Sequence, residues 1–182
     1  MSKIEFTLGN ESIIPTAGIA AVGAILGNAG FTSYFNKADV TTKRSGRQIR
    51  NGDIFTTGIA IQCMGKPDFD TVRELQEDPE FYKLALGIES RIPPEGSLRL
   101  RMDSIGSAFK SKLLDANVRI LKANGIHPTK LKCRQLLVDL DVSPHNNSKS
   151  HKQGVSRTYK GNDGYAPIYA YMGREGYILN LL

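Results

Sequence analysis

Hydrophobic positions are distributed in two different ways along this chain. Up to about residue 125 they recur in short blocks at helical spacing, punctuated by Gly and Pro. Beyond residue 132 they form continuous or alternating runs. The first pattern predicts amphipathic helices and the second predicts strands. Residues 3–7 alternate and fit a short strand or an extended arm. Pro15 opens a small-residue helix over 16–26, since Pro suits a first helical turn. Gly27-Asn28-Ala29-Gly30 interrupts it, and a short helical turn follows over 31–36. A further helix starts at Asn51 or Asp53, both good N-cap types, and runs to Met64. Two short helices follow over 69–76 and 79–86, the second opened by Pro79 and stopped by Gly87. Ser97 caps a helix through Met102. The clearest amphipathic pattern is over 107–124, where Phe109, Leu113, Leu114, Val118, Ile120 and Leu121 fall largely on one face.

Strands are predicted over 134–141, 164–172 and 176–181, with a tight turn from Gly173 to Gly176. The chain therefore reads as α+β, helical first and β afterwards. The division falls near residues 125–131 and gives a helical region over 1–128 and a β region over 129–182.

The first strand carries the chemistry. Leu136-Leu137-Val138-Asp139-Leu140-Asp141-Val142-Ser143 is an apolar run that predicts a buried strand and delivers two carboxylates to one strand end. Side chains two apart on a strand share a face. Two carboxylates that close repel unless a cation compensates, and their hard oxygens suit Mg²⁺. The local alternative makes Asp141 a turn cap and pairs Asp139 with a Lys.

Net charge is +6, which favours a polyanionic partner. Three basic groups are candidates for phosphate contact. Lys43, Arg44, Arg47 and Arg50 form the first, and Arg99 and Arg101 lie in the second. The third is the stretch 142–162, a polar connection with Lys149, Lys152, Arg157 and Lys160 and no acidic residue. The same residues also fit solvated loops. His145 and His151 are loop histidines or further phosphate contacts. Tyr159, Tyr165, Tyr169, Tyr171 and Tyr177 suit either a half-buried sheet or stacking on unpaired bases.

Cys63 and Cys133 are isolated and read as buried thiols in a reducing cytoplasm. No signal peptide precedes the first helix, and the apolar stretch over 13–26 is too short for a bilayer. A cytoplasmic protein with no membrane partner is expected. Motifs for P-loop, dinucleotide, serine-hydrolase and zinc-protease chemistry are absent.

Four elements in order resemble the DDE transposases of bacterial insertion sequences. They are Val138-Asp139-Leu140-Asp141-Val142-Ser143, Lys152-Gln153-Gly154, Tyr159-Lys160-Gly161 and Gly164-Tyr165-Ala166-Pro167-Ile168. Pro93-Pro94-Glu95-Gly96-Ser97-Leu98-Arg99 resembles an element of the family's helical N-terminal region. The resemblance implies a DNA-end-binding helical region followed by the first strands of an RNase H-like core. In that core three carboxylates hold two Mg²⁺ ions that act on DNA phosphodiesters. Asp141 matches the first metal ligand, with Asp139 as its neighbour or alternative. DNA is the implied partner, and a homodimer stays open. The chain departs from the pattern in two ways. Pro144 follows Ser143 directly, and the family's second Asp and its Glu have no counterpart in the 182 residues. The expectation is a truncated transposase, inactive alone in strand transfer. The alternative is a non-catalytic DNA-binding protein or regulator of transposition.

Overall fold

A bundle of short helices builds around one almost completely enclosed helix. The computed structural model describes residues 16–38, 49–66 and 68–181. α1 (Ile19–Asn28) and α2 (Phe31–Lys37) are joined through Gly30, whose φ of +60° is the left-handed conformation that Gly adopts without steric cost. α3 (Asn51–Cys63) is the central element. Its first seven residues are all buried, so it presents no polar face over two turns. Polar groups enclosed there need partners, and they have them. Thr56 bonds Thr32 at 2.8 Å, and Thr57 donates to the Asp53 carbonyl at 2.7 Å. Around them Phe31, Phe35, Phe55 and Phe109 form an aromatic cluster with centroid separations of 4.1–5.1 Å. Edge-on and tilted rings at these separations are the favourable arrangement.

Asp53 does not cap α3. Arg50 occupies the cap position, and Asp53 sits one turn inside, fully buried. Its carboxylate accepts the Glu89 N–H at 2.9 Å, the Ser90 N–H at 3.0 Å and the Ser90 hydroxyl. This ties the loop after α5 (Pro79–Leu86) to the central helix. A 3-10 turn (Phe69–Thr71) and α4 (Val72–Glu77) complete that side.

The expected break between residues 102 and 107 is absent. α6 runs without interruption over Glu95–Lys110, and the break falls at Ser111-Lys112, before α7 (Leu113–Ala123). Gly106 weakens a helix by about 1 kcal/mol relative to Ala. Leu98, Met102, Ile105 and Phe109 recur at spacings of three and four across it, and all four join the core. That burial outweighs the local penalty. The cysteines also differ from expectation: Cys63 and Cys133 are both exposed. Every buried hydrophobic residue among those described lies between Ile19 and Ala116.

The β region forms two small antiparallel sheets. β1 (Val138–Val142), β5 (Ile168–Met172) and β6 (Tyr177–Leu181) make one, in the order β1-β5-β6. β2 (His145–Asn146), β4 (Asp163–Tyr165) and β3 (Ser156–Arg157) make the other, in the order β2-β4-β3. The single strand expected over 164–172 is thus two strands in two sheets. Pro167 lies between them and has no N–H to continue a ladder. Its carbonyl instead accepts the Ser143 N–H at 3.0 Å. The polar connection over 142–162 contains β2 and β3 and is not merely a solvated loop.

Asn117 of α7 donates to the Leu179 carbonyl of β6 at 2.9 Å and joins the larger sheet to the bundle. The connecting segment is held as well. Glu175, in the β5–β6 turn, accepts from the Thr129 N–H at 3.1 Å and from its hydroxyl. These bonds hold the Glu175 carboxyl below its ordinary value, the hydroxyl contributing most. No described helix is long and apolar enough to cross a membrane.

Candidate functional site

The apolar run predicts a buried strand, but β1 lies at an edge of its sheet, where only β5 flanks it, and all five of its residues are exposed. Strand alternation puts Asp139 and Asp141 on one face and Val138, Leu140 and Val142 on the other. Leu140 is 63% exposed. The register with β5 places Tyr171 opposite Asp139 and Tyr169 opposite Asp141. Cross-strand partners share a face, so the carboxylates stand beside two tyrosine rings whose centroids are 6.1 Å apart. Asp141 accepts the Ser143 hydroxyl at 2.7 Å, which fixes its carboxylate at the strand end. Asp139 has no ion-pair partner among the described residues.

The smaller sheet continues directly from this strand end. Ser143 is bonded to Pro167 as described, and the Tyr159 hydroxyl donates to the Val142 carbonyl at 3.3 Å. Asn147 N–H donates to the Asp163 carbonyl at 2.9 Å, and the Tyr165 hydroxyl to the Gln153 carbonyl at 2.8 Å. Gly164 sits so close to β2 that a Cβ there would lie 1.9 Å from the His145 carbonyl oxygen. The backbone approach that closes this sheet therefore needs Gly.

These contacts place Lys149, Lys152, Arg157 and Lys160 on one module attached to the carboxylate strand. All four are exposed. Arg157 pairs with Asp163 at 3.4 Å, while the three lysines have no ion pair among the described residues. His145 and His151 are exposed on the same module.

The other basic candidates lie in the helical bundle. Arg50 pairs with Glu89 at 2.6 Å. Arg99 pairs with Glu95 at 3.3 Å and its guanidinium lies 5.4 Å from the centre of the Phe69 ring. Arg101 turns inward and donates to the side-chain amide oxygen of Asn51, and its burial lowers its pKa. Lys43, Arg44 and Arg47 fall outside the described residues.

Asp139 and Asp141 offer oxygen donors of the kind Mg²⁺ takes, and the ion commonly completes its shell with water and substrate phosphate. In number the donors fall short of a two-metal cage. Among the described residues no three His, Cys, Asp or Glu side chains come together as metal ligands. Asp163 and Glu175, the nearest later acids in sequence, are engaged with Arg157 and Thr129. No bond-breaking step follows from these residues alone. What they arrange is an acidic strand end beside two rings, continuous in the chain with a module that carries four exposed cations.

Sequence reasoning missed the Asp53–Ser90 tie and the Glu175–Thr129 clamp, whose partners lie 37 and 46 residues apart with no local pattern to announce them. No protein-family profile, curated protein or solved structure matches the chain.

Proposed function

We propose that this chain is a DNA-binding portion of a DDE-type transposase. In this reading the helical bundle engages the ends of a mobile element and β1 begins an RNase H-like catalytic core. The observation that carries the reading is the strand end itself. Two same-face carboxylates stand at the edge of an antiparallel three-stranded sheet, joined to a module with four exposed cations. The lysines and Arg157 neutralise phosphate charge and align a DNA strand. Asp141, oriented by Ser143, is the first metal-binding carboxylate, with Asp139 beside it. When bound, Mg²⁺ activates the attacking hydroxyl and steadies the leaving oxygen in this chemistry. The remaining carboxylates of a two-metal site are not among the described residues. On this reading the described residues by themselves carry out no strand transfer.

A second reading has the chain as a non-catalytic DNA-binding protein or regulator. It is favoured by the position of the core, which among the described residues lies in the helical part.

The test is binding of the 182-residue protein to duplex DNA from the flanks of its own coding sequence, against shuffled duplexes of equal composition. Preference for flank DNA, falling steeply with salt, is expected. Equal affinity for both overturns recognition of element ends. Mg²⁺ is then titrated against EDTA. Strengthened binding that Asp141→Asn abolishes is the expected outcome. A variant that behaves as the native protein assigns the chain to the non-catalytic reading, and Mg²⁺-dependent cleavage by the chain alone overturns its predicted inactivity.

A further inference from the structure

Tyr159 is the only exposed tyrosine of the seven, with 71% of its surface open to solvent. The others are engaged: Tyr82 is buried, Tyr34 lies under Arg119, Tyr165 is bonded to Gln153, and Tyr169, Tyr171 and Tyr177 are half-buried in the sheet. Among the described residues no ring or guanidinium stacks on Tyr159. An exposed ring is usually a mobile one, yet this ring is fixed at both ends. Its backbone sits in a tight turn in which the Gly161 N–H donates to the Thr158 carbonyl at 3.0 Å. Thr158 is buried, and its N–H donates to the Asn162 carbonyl at 2.8 Å. At the far end the hydroxyl reaches the Val142 carbonyl at 3.3 Å, one residue beyond Asp141. Lys160 is its neighbour in the turn, and Arg157 is two residues before it.

We propose that Tyr159 is a stacking platform for an unpaired nucleotide at a DNA end. It is a positioning residue that holds the base while the cations around it hold the phosphates. This rests on the DNA-binding reading above and adds the form of the substrate: an end with at least one unstacked base. Base–aromatic stacking is tolerant of sequence and needs an open π-face, which this ring presents. A ring already held in place loses little freedom when a base lands on it. The hydroxyl tether sets the platform beside the carboxylate strand end, where a frayed strand would meet Asp141.

The experiment compares a blunt duplex with the same duplex carrying three unpaired 3′ nucleotides, by fluorescence anisotropy in EDTA at fixed salt. The native protein is expected to bind the overhang roughly tenfold more tightly. Tyr159→Ala is expected to lose that gain, keep its affinity for the blunt duplex and keep the same salt slope. Tyr159→Phe keeps the π-face but loses the tether, and is expected to keep an intermediate, roughly threefold preference. Circular dichroism melts establish that both variants are folded. A tenfold preference that survives in Tyr159→Ala overturns the platform while leaving DNA binding intact. Equal losses in both variants also overturn it, since the hydroxyl would then act structurally. Failure of the native protein to bind either duplex removes the underlying DNA reading, and the platform with it.

Discussion

The Asp53 carboxylate, fully buried in α3, accepts the backbone N–H of Ser90 at 3.0 Å across 37 residues of sequence. A buried carboxylate is costly unless hydrogen bonds satisfy it. Here the Glu89 N–H and the Ser90 hydroxyl complete the set. Asp53→Ala strands two backbone N–H groups, and a loss of about 3 kcal/mol in unfolding free energy is expected. Asp53→Asn keeps one acceptor oxygen and should lose about half as much. Urea denaturation of the three proteins measures both.

Two glycines of α1 should respond in opposite directions. A Cβ on Gly23 would lie 1.7 Å from the Ala85 carbonyl oxygen, so Gly23→Ala forces α1 and α5 apart. Overpacking of this kind costs about 1–3 kcal/mol or more. Gly27 has nothing within 4 Å of that position. Gly27→Ala is expected to stabilise the helix by about 0.5–1 kcal/mol. Thermal melts that move in the same direction for both variants would contradict this account of the helix crossing.

The exposed face of β1 bears on solubility. Leu140 is 63% exposed on an edge strand, opposite in direction to the carboxylates. Such edges template unwanted pairing. Leu140→Lys should change stability by less than about 0.5 kcal/mol while lowering self-association. Sedimentation velocity across a concentration series reads the second effect.

Glu175 gives the β5–β6 turn a dependence on pH. Its carboxyl is held below the ordinary 4.5 by the Thr129 hydroxyl, then by the Thr129 N–H. A depressed folded value means the clamp contributes fully above the unfolded carboxylate range. That contribution is lost as pH falls through the lower folded value. The protection factor of the Thr129 amide, its exchange rate relative to the intrinsic rate at the same pH, should therefore fall on acidification in the native protein. In Glu175→Gln that protection should already be lower at neutral pH and change less on acidification.

If the small sheet holds DNA phosphates, its lysines act through counterion release. Lys149→Ala, Lys152→Ala and Lys160→Ala should each reduce the slope of log affinity against log salt by about 1. Arg157, paired with Asp163, should reduce it less. Unchanged slopes in all three lysine variants remove the module from the interface.

The legible parts of the fold were those written in local chemistry. α5 is bounded by Asp78, whose side chain accepts the Phe81 N–H at 3.1 Å, and by Gly87 at φ +66°. Pro79 and Gly87 alone announce that helix. The same local logic misplaced the end of the Ser97 helix at Met102, because a run of core contacts across Gly106 is invisible to punctuation. In the site, alternation alone put Asp139 and Asp141 on one face. Their tyrosine neighbours depend on the register with β5, which no short-range pattern fixes. The two-residue strands β2 and β3 exist only through pairing with β4, so nothing in their own sequence marks them.

The confinement of the apolar core to the stretch between Ile19 and Ala116 has a temporal meaning. Ribosomes deliver a chain from its N-terminus, and folding units tend to form in that order. Among the described residues, every side chain that the hydrophobic interior requires has been synthesised before the first residue of β1. The bundle's interior does not wait on any strand, and the three-stranded sheet is laid onto it through β6, whose Leu179 carbonyl accepts from Asn117 of α7.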